Sequence, residues 1–195
     1  MKNKFNKAFW ANKYANNLTG WDIGSVSTPL KEYFDQLDNK EIKILIPGAG
    51  NSYEAEYLFN KDFQNVSIVD IAHQPLNNIK KRIPNFSSDK LIQVDFFEHD
   101  SKYELIIEQT FFCALPPDLR TEYVKKMHDL LEEKGKIIGL LFDEELNTDE
   151  PPFGGSKNEY LELFSKYFHI KTLDKCYNSI KPRFGTELFF IFEKK

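Results

Sequence analysis

Cysteine is nearly missing from this chain: Cys113 and Cys176 are the only two in 195 residues. Two thiols cannot build a disulfide framework, so the fold must rest on a hydrophobic core, and a reducing cytoplasm is the natural setting. Long apolar runs are missing too. None approaches the roughly 18 residues a membrane span needs. The basic start, Met1 to Lys7, has no apolar stretch behind it, so a secretory leader is not expected. Positive charge is not in excess: 26 Lys and Arg stand against 30 Asp and Glu, a net charge of −4. That argues against nucleic acid or an anionic membrane as a partner. His73, His99, His128 and His169 lack metal-ligand spacing, and Ser25 and Ser27 lack a triad context. Cys113 lies in an apolar stretch and reads as a small buried thiol. The arginines and lysines near the C-terminus are scattered and read as solvated. No internal repeat or low-complexity tract is visible.

What is present is an ordinary globular composition, 41% hydrophobic and 29% charged, and a large stock of aromatics that includes 18 Phe. The length suits a single domain over 1–195, and nothing in the chain requires more than a monomer. Residues 1–40 form an aromatic-rich arm, with helices expected over 9–16 and 29–37, the second capped by Thr28. Strands and helices then alternate. Strands are predicted over 43–47, 66–70, 91–94, 103–108 and 136–142, and helices over 53–60, capped by Asn51 or Ser52, and 74–82. Leu119, Tyr123, Met127, Leu130 and Leu131 share one helical face, and Gly135 is the expected stop. An acidic loop over 143–156 leads to a helix over 158–167 and to strands over 169–177 and 186–193, placed to pair as a hairpin. The expected fold is α/β: a three-layer, doubly wound, mostly parallel seven-stranded sheet with a C-terminal antiparallel hairpin. A ligand belongs at the carboxyl ends of its strands, where the strand order reverses beside the first strand.

The residues at those ends carry the chemistry. Gly48-Ala49-Gly50 follows the first strand, where glycine lets backbone pass close to a ligand. A Gly-x-Gly turn alone is a weak signal. The third glycine of a dinucleotide fingerprint is replaced by Tyr53, which disfavours a diphosphate and suits a nucleoside ligand such as S-adenosylmethionine. Asp70 ends the second strand, placed to accept hydrogen bonds from both ribose hydroxyls; its other reading is a helix cap. Asp95 and Phe96 follow the third strand, where an acid can accept from an adenine amino group and a ring can pack on the base. The run from Glu108 to Pro117 follows the fourth strand, in the position of a loop over the cofactor.

Several segments together resemble the family of thiopurine, thiol and halide methyltransferases. They are Trp10, Tyr14 and Asn17–Gly24 in the arm, Ile46–Gly50, Val69–Ile71, Glu108–Leu115, Arg120, and Pro151-Pro152-Phe153. The resemblance spans most of the chain. It implies S-adenosylmethionine as cofactor, with a thiol, thiopurine, thiocyanate, halide or selenium acceptor attacking in line. It also implies roles: Trp10 and Trp21 closing over the methionine part, Gly48 and Gly50 beside it, Asp70 on the ribose, Asp95 and Phe96 at the adenine, and Glu108 by the methionine amino group. Arg120 and Phe153 fall on the acceptor side. Phe153 stands where halide and thiol methyltransferases often have Tyr, and Gly154-Gly155 favours a mobile loop. Two other classes stay open: an NAD(P)-dependent oxidoreductase, and a protein that binds S-adenosylmethionine without catalysis.

Overall fold

The computed structural model describes residues 4–195, so the first three residues of the arm lie outside the described part. Its strands are β1 (Ile44–Pro47), β2 (Val66–Asp70), β3 (Leu91–Gln93), β4 (Tyr103–Gln109), β5 (Leu131–Phe142), β6 (Phe168–Lys175) and β7 (Glu187–Lys194). They form one seven-stranded sheet in the order β3-β2-β1-β4-β5-β7-β6. The first five strands pair in parallel, and β7 runs antiparallel between β5 and β6. The order reverses between β1 and β4, so a crevice opens there at the carboxyl ends.

Alternation along each strand builds two cores. Leu45 and Ile106 face one side; Ile44, Ile46, Leu105 and Ile107 face the other. Helices α2 (Thr28–Phe34), α3 (Tyr53–Asn60) and α4 (His73–Arg82) cover the second side through Leu30, Leu58 and Ile79. Helices α5 (Arg120–Leu130) and α6 (Lys157–Phe164) cover the first through Tyr123, Met127 and Phe164. The arm contributes α1 (Lys7–Ala15), capped by the side-chain Oδ1 of Asn6, which accepts from the N–H groups of Ala8 and Phe9 at 2.9 and 3.2 Å.

Several sequence expectations shift. Gly135 does not end α5; the helix stops at Leu130, because buried Leu131 already pairs with Tyr103 in β5. The left-handed residue in that stretch is Lys134, at φ 62. Thr28 is inside α2, and Ser27 holds the cap position without a side-chain bond. Ser52 precedes α3 in a left-handed conformation, and its hydroxyl points back to the Gly50 carbonyl rather than capping forward.

Candidate active site

At the point where the strand order reverses, the turns leaving β1 and β4 touch. Gly48 has φ 54, and a Cβ there would overlap the Phe111 ring. Its N–H donates to Val69 of β2 at 2.8 Å, which fixes the turn to the neighbouring strand. Glycine is therefore required twice at this position, for conformation and for space. Gly50 repeats the left-handed conformation at φ 54 and faces Tyr14 and Trp21 of the arm.

The arm lies over this turn and is tied down at several points. Trp10 and Trp21 meet edge to face at 5.6 Å, and Tyr14 meets Trp21 at 5.8 Å. Asp22 accepts from the side-chain amide of Asn51 in the glycine turn and from the Gly24 N–H. Gln74 of α4 donates to the Ala11 carbonyl at 3.3 Å. Arg183 donates to the Trp21 carbonyl at 2.8 Å.

Between arm and sheet lies a cavity of about 520 Å³. That volume falls within the range of small-molecule sites. Seven of the expected cofactor residues, all before β4 in the chain, line this cavity: Trp10, Trp21, Gly48, Gly50, Asp70, Asp95 and Phe96. Asp70 is 7% exposed and accepts from the Ala72 N–H at 2.8 Å. Burial pushes its carboxyl up to about 7, against backbone hydrogen bonds that pull it down. Asp95 accepts from the Phe97 N–H at 3.0 Å, and buried Phe96 packs against Phe111 at 5.1 Å. The opposite wall comes from Cys113, Leu115, Phe142, Pro152 and Arg183. Burial pushes the Cys113 thiol up to about 12, so it stays a thiol.

Three expected site residues stand behind the wall instead of in it. Glu108 is 1% exposed and gives its carboxylate to the N–H groups of Phe111 and Phe112 and to the Tyr123 hydroxyl. Arg120 pairs with Glu159, donates to the Gly154 carbonyl at 2.6 Å, and lies over the Phe112 ring at 4.8 Å. Phe153 is buried, donates its N–H to the Cys113 carbonyl at 2.7 Å, and packs edge-on against Phe5 at 5.7 Å. The glycines after it are there for space. Side chains at Gly154 and Gly155 would strike the Glu144 backbone and the Tyr160 ring.

Arg183 corrects the reading of the C-terminal cations as solvated. It is 11% exposed, pairs with Glu187 at 3.4 Å, and lines the cavity. Its position follows from the topology. Because β7 is antiparallel to β5, Glu187 faces Phe142 at the carboxyl end of β5. Whatever precedes β7 must therefore reach the cavity edge. The turn residues Pro182 and Gly185 flank Arg183, but only the strand order says where that turn lands.

This sheet, with its cavity at the reversal point, is the class I methyltransferase fold. A family model described as Thiopurine S-methyltransferase (TPMT) matches residues 5–194, and the chain belongs to that family. It is 28% identical over 184 residues to probable thiol methyltransferase 2 of Arabidopsis thaliana, covering 91% of this chain and 81% of that one. It is 28% identical over 215 residues to a thiopurine S-methyltransferase of Vibrio campbellii, covering 95% and 98%. Among solved structures, the fold matches a Burkholderia thailandensis 1,6-didemethyltoxoflavin-N1-methyltransferase with bound S-adenosylhomocysteine. That match has a TM-score of 0.77 at 15% identity, covering 97% of this chain and 87% of the other. Family membership sets aside the nicotinamide oxidoreductase. Among the described residues, no helix is long and apolar enough to cross a membrane.

Proposed function

We propose that this enzyme methylates a small, soft sulfur nucleophile presented as its anion, and acts as a cytoplasmic monomer on free small molecules. One observation carries the reading: the cavity is chemically divided. Its carboxylates stand around the glycine turn: Asp22 in the arm, Glu54 in α3, Asp70 at the end of β2 and Asp95 after β3. The lining residues from the loops after β4 and β5 and before β7 are apolar apart from the Thr110 hydroxyl and the Cys113 thiol, with Arg183 the added cation. No carboxylate or histidine is among those acceptor-side lining residues. Such a wall serves a nucleophile that arrives already ionised and needs no general base.

The cofactor side fits its ligand through what the chain provides. In this reading the buried carboxylate of Asp70 accepts from ribose hydroxyls, Phe96 packs by the adenine with Asp95 accepting from its amino group, and Gly48 and Gly50 leave room for close backbone approach; that all five line the cavity supports it. Bound there, S-adenosylmethionine supplies an activated methyl group on a cationic sulfur. Trp10 and Trp21 offer ring faces that favour a cation and shut out water. Arg183 attracts the anionic acceptor, and the apolar wall strips its hydration. Alignment and desolvation are then the main contributions asked of the protein. Thiopurines, aliphatic thiols and thiocyanate are the first acceptors, with iodide and selenols as further soft anions. A panel of these with labelled S-adenosylmethionine tests the reading. Methyl transfer to thiols over matched amines and alcohols supports it, and preference for the amines overturns it.

A further inference from the structure

Glu108 is buried at the end of β4 without a cationic partner among the described residues. A charge in such a place costs stability. The chain nevertheless accommodates it with care. Gly139 sits opposite on β5, where any side chain would overlap the Glu108 backbone. Oε1 accepts from Phe111 at 2.7 Å and from Phe112 at 2.9 Å, and Oε2 accepts from the Tyr123 hydroxyl. The groups facing it that titrate are Tyr123 from α5 and Cys113 from the turn, both raised by burial, and β5 faces it with the Gly139 backbone.

The turn held by Glu108 begins at Thr110, left-handed at φ 58, and carries one contact toward each half of the cavity. On the cofactor side, the Phe111 ring fills the space over Gly48. On the acceptor side, the Cys113 carbonyl receives the Phe153 N–H at 2.7 Å. From Phe153 the ring contacts continue through Phe5 and Phe9 to Trp10 in the arm, at 5.7, 5.0 and 5.1 Å. We propose that Glu108, with Tyr123, is a positioning residue that sets both halves of the cavity through one turn. It acts through Phe111 and Phe153 and does not touch cofactor or acceptor. The inference rests on the methyl-transfer reading of the cavity.

Two variants and three measurements test it. Glu108→Gln removes the charge at nearly constant shape; Tyr123→Phe keeps the carboxylate and both backbone bonds. Hydrogen exchange on the unliganded protein should speed up at the Phe111 and Phe112 amides and, at a distance, at Phe153. Burial pushes the Glu108 carboxyl up to about 7, so above about pH 8 the melting temperature of Glu108→Gln should hold or rise, because a buried charge is gone. Turnover at saturating thiol and cofactor should fall about tenfold or more, as misalignment predicts, and about threefold in Tyr123→Phe. A merely structural role would lower turnover and melting temperature together. Unchanged exchange at Phe153, or turnover within about twofold of wild type, overturns the proposal. Absence of methyl transfer in the wild type would instead sink the reading of the cavity, while Phe153 exchange still decides the latch.

Discussion

The two halves of the cavity are built in different ways. The cofactor half comes mainly from consecutive strand–turn units between Gly48 and Phe96, closed by the arm. Its geometry is dictated mainly by backbone, through left-handed Gly48 and Gly50 and a carboxylate capping the turn after β2, with one side-chain contact from afar, the Phe111 ring that Glu108 holds over Gly48. The acceptor half draws on three separate stretches, around Cys113, Phe142–Pro152 and Arg183. Its geometry is set from behind, by Glu108 with Tyr123 and by Arg120 with Glu159 and the Gly154 carbonyl. Backbone fixes the half that meets a common cofactor. Side-chain networks fix the half that must suit one acceptor, and such networks change with few substitutions.

The comparison breaks most directly at Gly48. Gly48→Ala should lower stability by about 2–4 kcal/mol, from the left-handed conformation and the overlap with Phe111. That is a fall in melting temperature of roughly 2–4 °C per kcal/mol for a chain of this size. Gly20→Ala, in the arm with open space around it, should do almost nothing. Equal effects at the two glycines would remove the claim that this half is dictated by backbone.

Asp70→Asn should weaken S-adenosylhomocysteine binding by about 1.5–3 kcal/mol, measured by calorimetry. Its pH dependence has a definite sign. The Asp70 carboxyl sits near 7 in the folded protein, above its ordinary 3.8, so the neutral form prevails below that pH. Hydroxyl donors favour the anion, so affinity should rise with pH through about 7 and be flat in Asp70→Asn. Folding stability moves the other way, falling as pH rises from about 4 to 7, because the folded state holds a proton the unfolded chain has released.

Arg183 and Arg120 separate the acceptor wall from its support. Arg183→Ala should reduce kcat/KM about tenfold for anionic thiols and much less for neutral acceptors. Arg120→Ala should affect all acceptors alike and lower stability by about 1–3 kcal/mol, by leaving the Gly154 carbonyl and Glu159 without their donor. The reverse pattern would return Arg120 to the acceptor side. The smallest effect is expected from Phe153→Tyr. That ring is buried against Phe5, so the added hydroxyl should cost about 1 kcal/mol and leave acceptor preference unchanged, as read by the thiol panel.

Much of this was legible in the sequence where the governing contacts are local. The alternation of strands and helices, the Gly48 turn and the strand-end acids Asp70 and Asp95 follow from short-range pattern, and they share one sheet edge. Glu108 was readable as a strand-end acid, but its side chain turns inward to Phe111, Phe112 and Tyr123, which no spacing reveals. Arg183 was hidden by topology, since its place depends on β7 entering between β5 and β6. The early end of α5 was decided by the burial of Leu131, a tertiary effect that outweighs the stop signal at Gly135.

The central claim is that the acceptor arrives as an anion and the enzyme supplies no base. The direct test is kcat/KM at saturating S-adenosylmethionine for a series of thiols of differing acidity. It is measured above about pH 8, where Asp70 and Glu108 are both ionised. The account predicts that the pH at which the rate levels off moves with each thiol's own pKa. A bend fixed at one pH for every thiol would reveal a base on the enzyme and contradict it.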